Sequence, residues 1–172
     1  MNDFIKTETT DKQQAFEGIG ALLAKQGFSI DRKDFNRPWG GFFVIEEEQA
    51  SQFVGTYFPN SDFGDLVGDR KVSPKILVVA PEKRLSWQYH HRRSEVWRVV
   101  GGSVGIVRSE TDEQSELEEL KEGDLVVLAK GERHRLVGLK GFGIVAEIWQ
   151  HTDAANPSDE NDIVRLQDDF GR

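Results

Sequence analysis

Gln88, His90, Glu95 and His134 are the residues of this sequence whose types and spacing could do chemistry together. Gln88 and His90 stand two apart, which on a strand puts both side chains on one face. The four residues between His90 and Glu95, namely His91, Arg92, Arg93 and Ser94, suffice for a hairpin turn that returns Glu95 beside them on the neighbouring strand. Downstream, Gly123-Asp124 opens an apolar run and Lys130-Gly131 closes it, so a second hairpin could deliver His134. Two imidazoles, a carboxylate and an amide oxygen suit a divalent first-row metal, with coordination positions left for water or substrate. The chain has no cysteine, so any metal must be held by nitrogen and oxygen. By strand parity His91 points away from Gln88 and His90. His151, in a polar stretch after the last expected strand, reads as a solvated loop residue.

The elements that must position these groups are mostly strands. Segments 42–45, 52–58, 75–80, 96–100, 104–107, 125–128 and 143–149 are short and rich in β-branched and aromatic residues, and Gly, Pro, Asn or Asp punctuates most of the gaps. Many short strands at close spacing predict a sandwich or small barrel, an all-β fold. The acidic stretch 109–124 could be a helix by composition alone, but flanked closely by strands it reads more economically as an extended hairpin with a solvated face. The long segment 46–74 is expected to contain a strand or hairpin around 53–58. Over residues 11–26, Phe16, Ile19, Leu22 and Leu23 recur at helical spacing, Thr10 and Gln13 could form a capping box, and Gly27 marks the stop. The apolar stripe of this amphipathic helix must be buried on its own barrel or against a second subunit, and a homodimer is expected.

Composition narrows the partners. The 172 residues fit one domain, and no stretch approaches the length and apolarity of a spanning helix. A net charge of −8 and a pI near 5.1 argue against an electrostatic grip on nucleic acid or a membrane surface. The first residues are acidic where a secretory signal would be basic, so a cytoplasmic protein with a small-molecule partner is expected.

Together the two ligand segments resemble the paired motifs of the cupin superfamily. Gln88 stands for the first histidine of its HxH, His90 for the second, Glu95 for the glutamate and Gly102 for the closing glycine. Gly123, Gly131 and His134 keep the register of the second motif. Residues 85–97, LSWQYHHRRSEVW, are similar to the LSLQxHHHRxEHW signature of type II mannose-6-phosphate isomerases, whose cupin domain is often fused behind a GDP-mannose pyrophosphorylase. Arg37-Pro38-Trp39-Gly40, Lys75-Ile76 and the terminal Asp162-Ile163-Val164-Arg165 through Phe170-Gly171-Arg172 resemble that family's RPWG, Lys-Ile and DIVRxxDxYGR. The resemblance covers residues 37–172 in order and implies a cupin barrel there, preceded by a helical extension over 1–36. Glu82, Arg92 and Val96 depart from the pattern, the last two replacing histidines.

The resemblance implies a metal-dependent isomerase that interconverts mannose 6-phosphate and fructose 6-phosphate through an enediolate. It implies one divalent ion on Gln88, His90, Glu95 and His134, with zinc the family expectation and manganese, iron, cobalt or nickel also compatible. Arg93 matches the arginine of the HRxE segment and is the expected catalytic residue. Lys75, Lys130, Arg165 and Arg172 are the expected phosphate contacts, the last two brought to the mouth of the site by docking of Ile163, Val164 and Phe170. No general base is identifiable. A non-catalytic sugar- or sugar-phosphate-binding cupin and a metal-dependent oxygenase are the competing readings.

Overall fold

Alternation along the strands decides which side chains face which core. The computed structural model describes residues 5–60 and 70–172. Helix α1 (Lys12–Lys25) leads into β1 (Ile30–Arg37) and β2 (Gly40–Ile45), then α2 (Ala50–Tyr57). The remaining strands are β3 (Lys75–Val79), β4 (Trp87–Tyr89), β5 (Arg93–Gly101), β6 (Ser103–Ser109), β7 (Glu118–Lys121), β8 (Leu125–Leu128), β9 (Arg133–Gly138), β10 (Gly143–His151) and β11 (Val164–Gln167). They form two antiparallel sheets, ordered β1-β2-β3-β10-β5-β8 and β11-β4-β9-β6-β7. The all-β cupin fold with its N-terminal helix is therefore what the chain adopts.

On the larger sheet, Ile76, Val78, Val96, Val100, Ile144, Ala146 and Ile148 face outward and pack against Phe16, Ile19, Leu23, Phe53 and Tyr57 of the two helices. The alternate positions Leu77, Val79, Trp97, Val99 and Val145 face inward and meet Val104, Ile106 and Leu136 from the smaller sheet. The stripe of α1 is thus covered by its own barrel. Residues 30–37, which the sequence reading assigned no element, form the edge strand β1, paired with β2.

Several expectations are corrected. Residues 53–58 were expected as a strand or hairpin, but 50–57 form α2. Ala50, Phe53, Val54 and Tyr57 follow the i, i+3, i+4, i+7 rule and are all buried on one face; their β-branched and aromatic character obscured that period. Within the segment 46–74, residues 61–69 lie outside the described residues, as do the first four of the chain. The cap of α1 is Asp11, whose Oδ1 accepts from the Gln14 amide at 2.8 Å, rather than a Thr10–Gln13 box. The acidic stretch 109–124 is not a hairpin by itself: it supplies the loop and the second strand, β7, of a hairpin whose first strand is β6, and its acidic side chains are exposed.

The two expected ligand hairpins are arches instead. β4 lies in the smaller sheet and β5 in the larger, and β8 and β9 are divided in the same way. The segments between them cross from one sheet to the other, and the Gly131 amide donates to the His90 carbonyl at 3.0 Å, tying the arches together. Gly102 makes the turn from β5 to β6 with φ +67°, and a Cβ there would stand 2.5 Å from the Phe142 carbonyl oxygen, so glycine is required. Among the described residues, no helix is long and apolar enough to cross a membrane.

Phe16 connects helix to sheet: its ring centroid is 4.4 Å from that of Phe35 and 5.8 Å from that of Phe43. Phe16→Ala should cost about 3–5 kcal/mol in urea unfolding, while the metal capacity of the folded protein stays unchanged because the cavity opens on the far side of the sheet.

Candidate metal centre

The arches bring His90 from the end of β4, Glu95 from β5 and His134 from β9 to one point between the sheets. Their ligand atoms lie within 4.8 Å of one another and all three residues are buried. His90 Nε2 is 3.1 Å from Glu95 Oε1, and His134 Nε2 is 3.4 Å from Glu95 Oε2. Each imidazole is held by its other nitrogen: His90 Nδ1 lies 2.6 Å from the Asp162 carbonyl oxygen and His134 Nδ1 3.0 Å from that of Glu132. A carbonyl only accepts, so both Nδ1 atoms carry a hydrogen, and in the neutral rings the Nε2 lone pairs are turned toward the carboxylate.

Lone pairs facing a carboxylate need a cation or a proton among them. His134 Nε2 is buried and has no hydrogen-bond partner. That orphaned atom, the fixed tautomers and the two-imidazole, one-carboxylate donor set together fit a divalent ion. Gln88 sits opposite His134 in the β4–β9 register and lines the same cleft, its Oε1 accepting from the Ser86 hydroxyl at 2.5 Å. Burial works to raise the pKa of Glu95, but His90, His134 and Arg93 outweigh it and hold the carboxyl well below its usual range. For His134 burial favours the neutral ring, yet Glu95 prevails and raises its pKa. A metal binding here would displace a proton held by His134.

Arg93 is 5% exposed. Its Nε donates to Glu95 Oε1 at 2.8 Å, Nη1 to Ser158 and to the Asp159 carbonyl at 3.0 Å, and the guanidinium stacks 3.6 Å from the Trp149 ring centroid. Its Nη2 lies 3.3 Å from His90 Nε2. Glu95 of the triad lines a cleft of about 630 Å³ to which Gln88, Arg93, Lys75, Arg165 and Arg172 also contribute. Lys75 pairs with Glu160 at 2.7 Å, and Arg172 with Asp168 at 2.9 Å. Arg165 is exposed and lies in β11, which pairs with β4. Lys130 is exposed in the β8–β9 turn and is not among the cleft-lining residues. His91 is exposed, as parity requires. His151 is corrected: it ends β10, half-buried, with Nδ1 accepting from the Ser158 amide at 2.9 Å.

Sequence reasoning missed two acids. Asp162 folds the segment before β11 over the His90 arch, its carboxylate accepting from the amides of His91 and Arg92 at 2.9 Å and from Ser158 at 2.6 Å. Glu147 is buried in the middle of β10, facing the cleft, and burial together with the Glu95 charge raises its pKa to about 7 against the pull of Lys75 and Arg93. A lone carboxylate inside the run GIVAEIW was the available signal for it; for Asp162 there was none beyond the terminal motif.

The profile of the family described as mannose-6-phosphate isomerase, C-terminal, matches residues 47–168. Among curated proteins, the xanthan biosynthesis protein XanB of Xanthomonas campestris pv. campestris is 29% identical over 136 residues, covering 79% of this chain and 23% of XanB. A mannose-1-phosphate guanylyltransferase of Salmonella montevideo is 27% identical, covering 83% of this chain and 24% of that protein. The chain therefore spans about a quarter of the length of these relatives. Among solved structures, oxalate decarboxylases of Bacillus subtilis and Lactobacillus farciminis superpose with TM-scores of 0.55 and 0.54 at 12% identity, covering 78% of this chain and 30% and 33% of theirs, a likeness of fold.

Asp162 supplies a pH test of the arch. Burial tends to raise its pKa, but the hydrogen bonds from Ser158, His91 and Arg92 and the Arg93 charge bring it down to about 2. Its unfolded value is near 3.9, so the stabilisation is fully present above about pH 4 and is lost as pH falls through about 2. Asp162→Asn should be less stable than wild type by about 2 kcal/mol at pH 7. The difference should shrink as urea unfolding is repeated from pH 4 down to pH 2.

Proposed function

Because the chain belongs to the mannose-6-phosphate isomerase C-terminal family, we propose that it is a metal-dependent aldose–ketose isomerase of sugar phosphates, with mannose 6-phosphate and fructose 6-phosphate as the pair. The observation that carries this reading is the orphaned His134 Nε2 facing Glu95, which lines a cleft rich in cations. His90, Glu95 and His134 would hold the ion, with Gln88 as a further oxygen donor and zinc the expected metal. A bound divalent ion supplies Lewis acidity toward the sugar oxygens O1 and O2.

The chain's own residues supply the rest. Arg93 places a fixed cation beside the triad, held on one side by Glu95 and on the other by the Trp149 face, where it can stabilise charge developing on the substrate oxygens. Arg165 bears no ion pair to any described residue, and its planar fork suits the two parallel hydrogen bonds of a phosphate. Lys75 and Arg172 are engaged by Glu160 and Asp168, which makes Arg165 the leading phosphate contact of the three.

The departures from the family pattern fall away from the cleft. Val96 takes the place of a histidine, but its side chain is fully buried in the outer core under the helices. Arg92 points to Asp159 at 3.6 Å and is not a cleft residue. Neither substitution removes a group from the metal centre.

Zinc-loaded protein in a coupled assay should convert mannose 6-phosphate to fructose 6-phosphate. Chelation should abolish turnover, and Arg93→Ala should reduce kcat/KM by about 10²–10³-fold, the effect of losing one preorganised donor to developing charge. Binding of hexose phosphates without turnover of any of them would instead identify a non-catalytic sugar-phosphate-binding cupin.

A further inference from the structure

Glu147 is a carboxyl group that the metal centre does not use. It is 4% exposed, on the cleft-facing side of β10, between the inward-facing Val145 and Trp149. Its oxygens are held one each by indole N–H groups, Oε2 by Trp97 and Oε1 by Trp149, both at 2.8 Å. The Lys75 ammonium stands 3.9 Å from Oε1, and Lys75 has a closer partner in Glu160 at 2.7 Å. Trp97 Nε1 also reaches Glu95 Oε2 at 3.1 Å, so one indole stands between this carboxyl group and the triad. A carboxylate has about four acceptor positions, and the indoles occupy two. They fix the plane of the group and leave a lone pair on each oxygen.

Strand pairing does not call for an acid here, and burying one is costly unless it is paired and hydrogen-bonded, as the two indoles hold Glu147. We propose that Glu147 is the acid–base residue of the isomerisation, carrying the substrate proton between C2 and C1. The inference rests on the isomerase reading above. The carboxylate takes the proton from C2 of the aldose, the C2–H electron pair becomes the C1=C2 bond, and the carbonyl π pair moves onto O1. The hydroxyl proton of O2 passes to O1, and an O2 lone pair re-forms a carbonyl at C2. The C1=C2 pair then takes the proton back from Glu147 at C1. The carboxylate is regenerated and no co-reactant is consumed. The charged groups facing Glu147 are Glu95 and Arg93 from β5, Lys75 from β3 and His134 from β9; burial and Glu95 favour the neutral acid while Lys75 and Arg93 favour the carboxylate, so the setting supports both forms that a proton carrier passes through.

The test uses the full chain loaded with zinc, with mannose 6-phosphate as substrate, zinc content measured on every sample, and fructose 6-phosphate binding measured by calorimetry. Glu147→Gln should lower kcat by at least about 10²-fold, with zinc content and fructose 6-phosphate affinity within about threefold of wild type. In deuterated water it should also stop the wash-in of solvent deuterium at C2 of the remaining aldose. The amide introduced by Glu147→Gln would turn its own N–H groups toward one indole N–H, so Glu147→Asp is the second variant. It keeps the acid and both acceptors, and should retain zinc and deuterium wash-in with a kcat between those of wild type and Glu147→Gln. Turnover by Glu147→Gln within threefold of wild type overturns the inference and leaves the isomerase intact. So does loss of zinc in step with activity in both variants, or, where Glu147→Gln does not fold, a folded Glu147→Asp with wild-type kcat. An inactive wild type overturns the isomerase reading itself, and this inference with it.

Discussion

Glu95 is a carboxylate with 2% exposure, placed between two sheets where water cannot solvate it. An uncompensated charge in such a place costs several kcal/mol, and much of the surrounding architecture answers that cost. His90, His134, Arg93 and the indole of Trp97 all direct nitrogen atoms at its two oxygens. The two histidines are not adjacent to it in the larger sheet by pairing. They reach it because the chain twice crosses from one sheet to the other, and because Asp162 and Gly131 hold those crossings in place.

The barrel separates stability from chemistry by strand parity. Outward positions of β3, β5 and β10 build the core shared with the helices, while inward positions carry Lys75, Arg93, Glu95, Trp97, Glu147 and Trp149. Adjacent residues therefore answer to different demands. Val96 can replace a histidine of the family pattern without touching the cleft, whereas its neighbours Glu95 and Trp97 both contact the site. The same division lets the terminal strand β11 join β4 and the edge strand β1 border the cleft through Arg32, Lys33 and Arg37, while the helices cover the opposite face.

Much of this was legible in the sequence, for identifiable reasons. Short segments of β-branched and aromatic residues marked β3, β8 and β10, and the two-residue spacing of Gln88 and His90 placed both on one face of a strand. What sequence could not show was which sheet each strand enters. A four-residue gap fits a hairpin and an arch equally well, and only long-range pairing distinguishes them. α2 was obscured because Phe53, Val54 and Tyr57 favour strands by type but helices by spacing. β1 was obscured because Asp31, Arg32, Lys33 and Asp34 give an edge strand no apolar alternation. Asp162 acts through backbone amides, and backbone partners leave no pattern in side-chain type.

The central claim is that His90, Glu95 and His134 form one site for a divalent ion, and zinc calorimetry on the stripped protein with His134→Ala alongside tests it most directly. Wild type should bind about one equivalent with release of protons, since the imidazoles must be neutral to ligate. His134→Ala should keep its circular dichroism and lose that binding. Absence of zinc binding by the folded wild type, or the same stoichiometry and affinity in His134→Ala, would contradict the account.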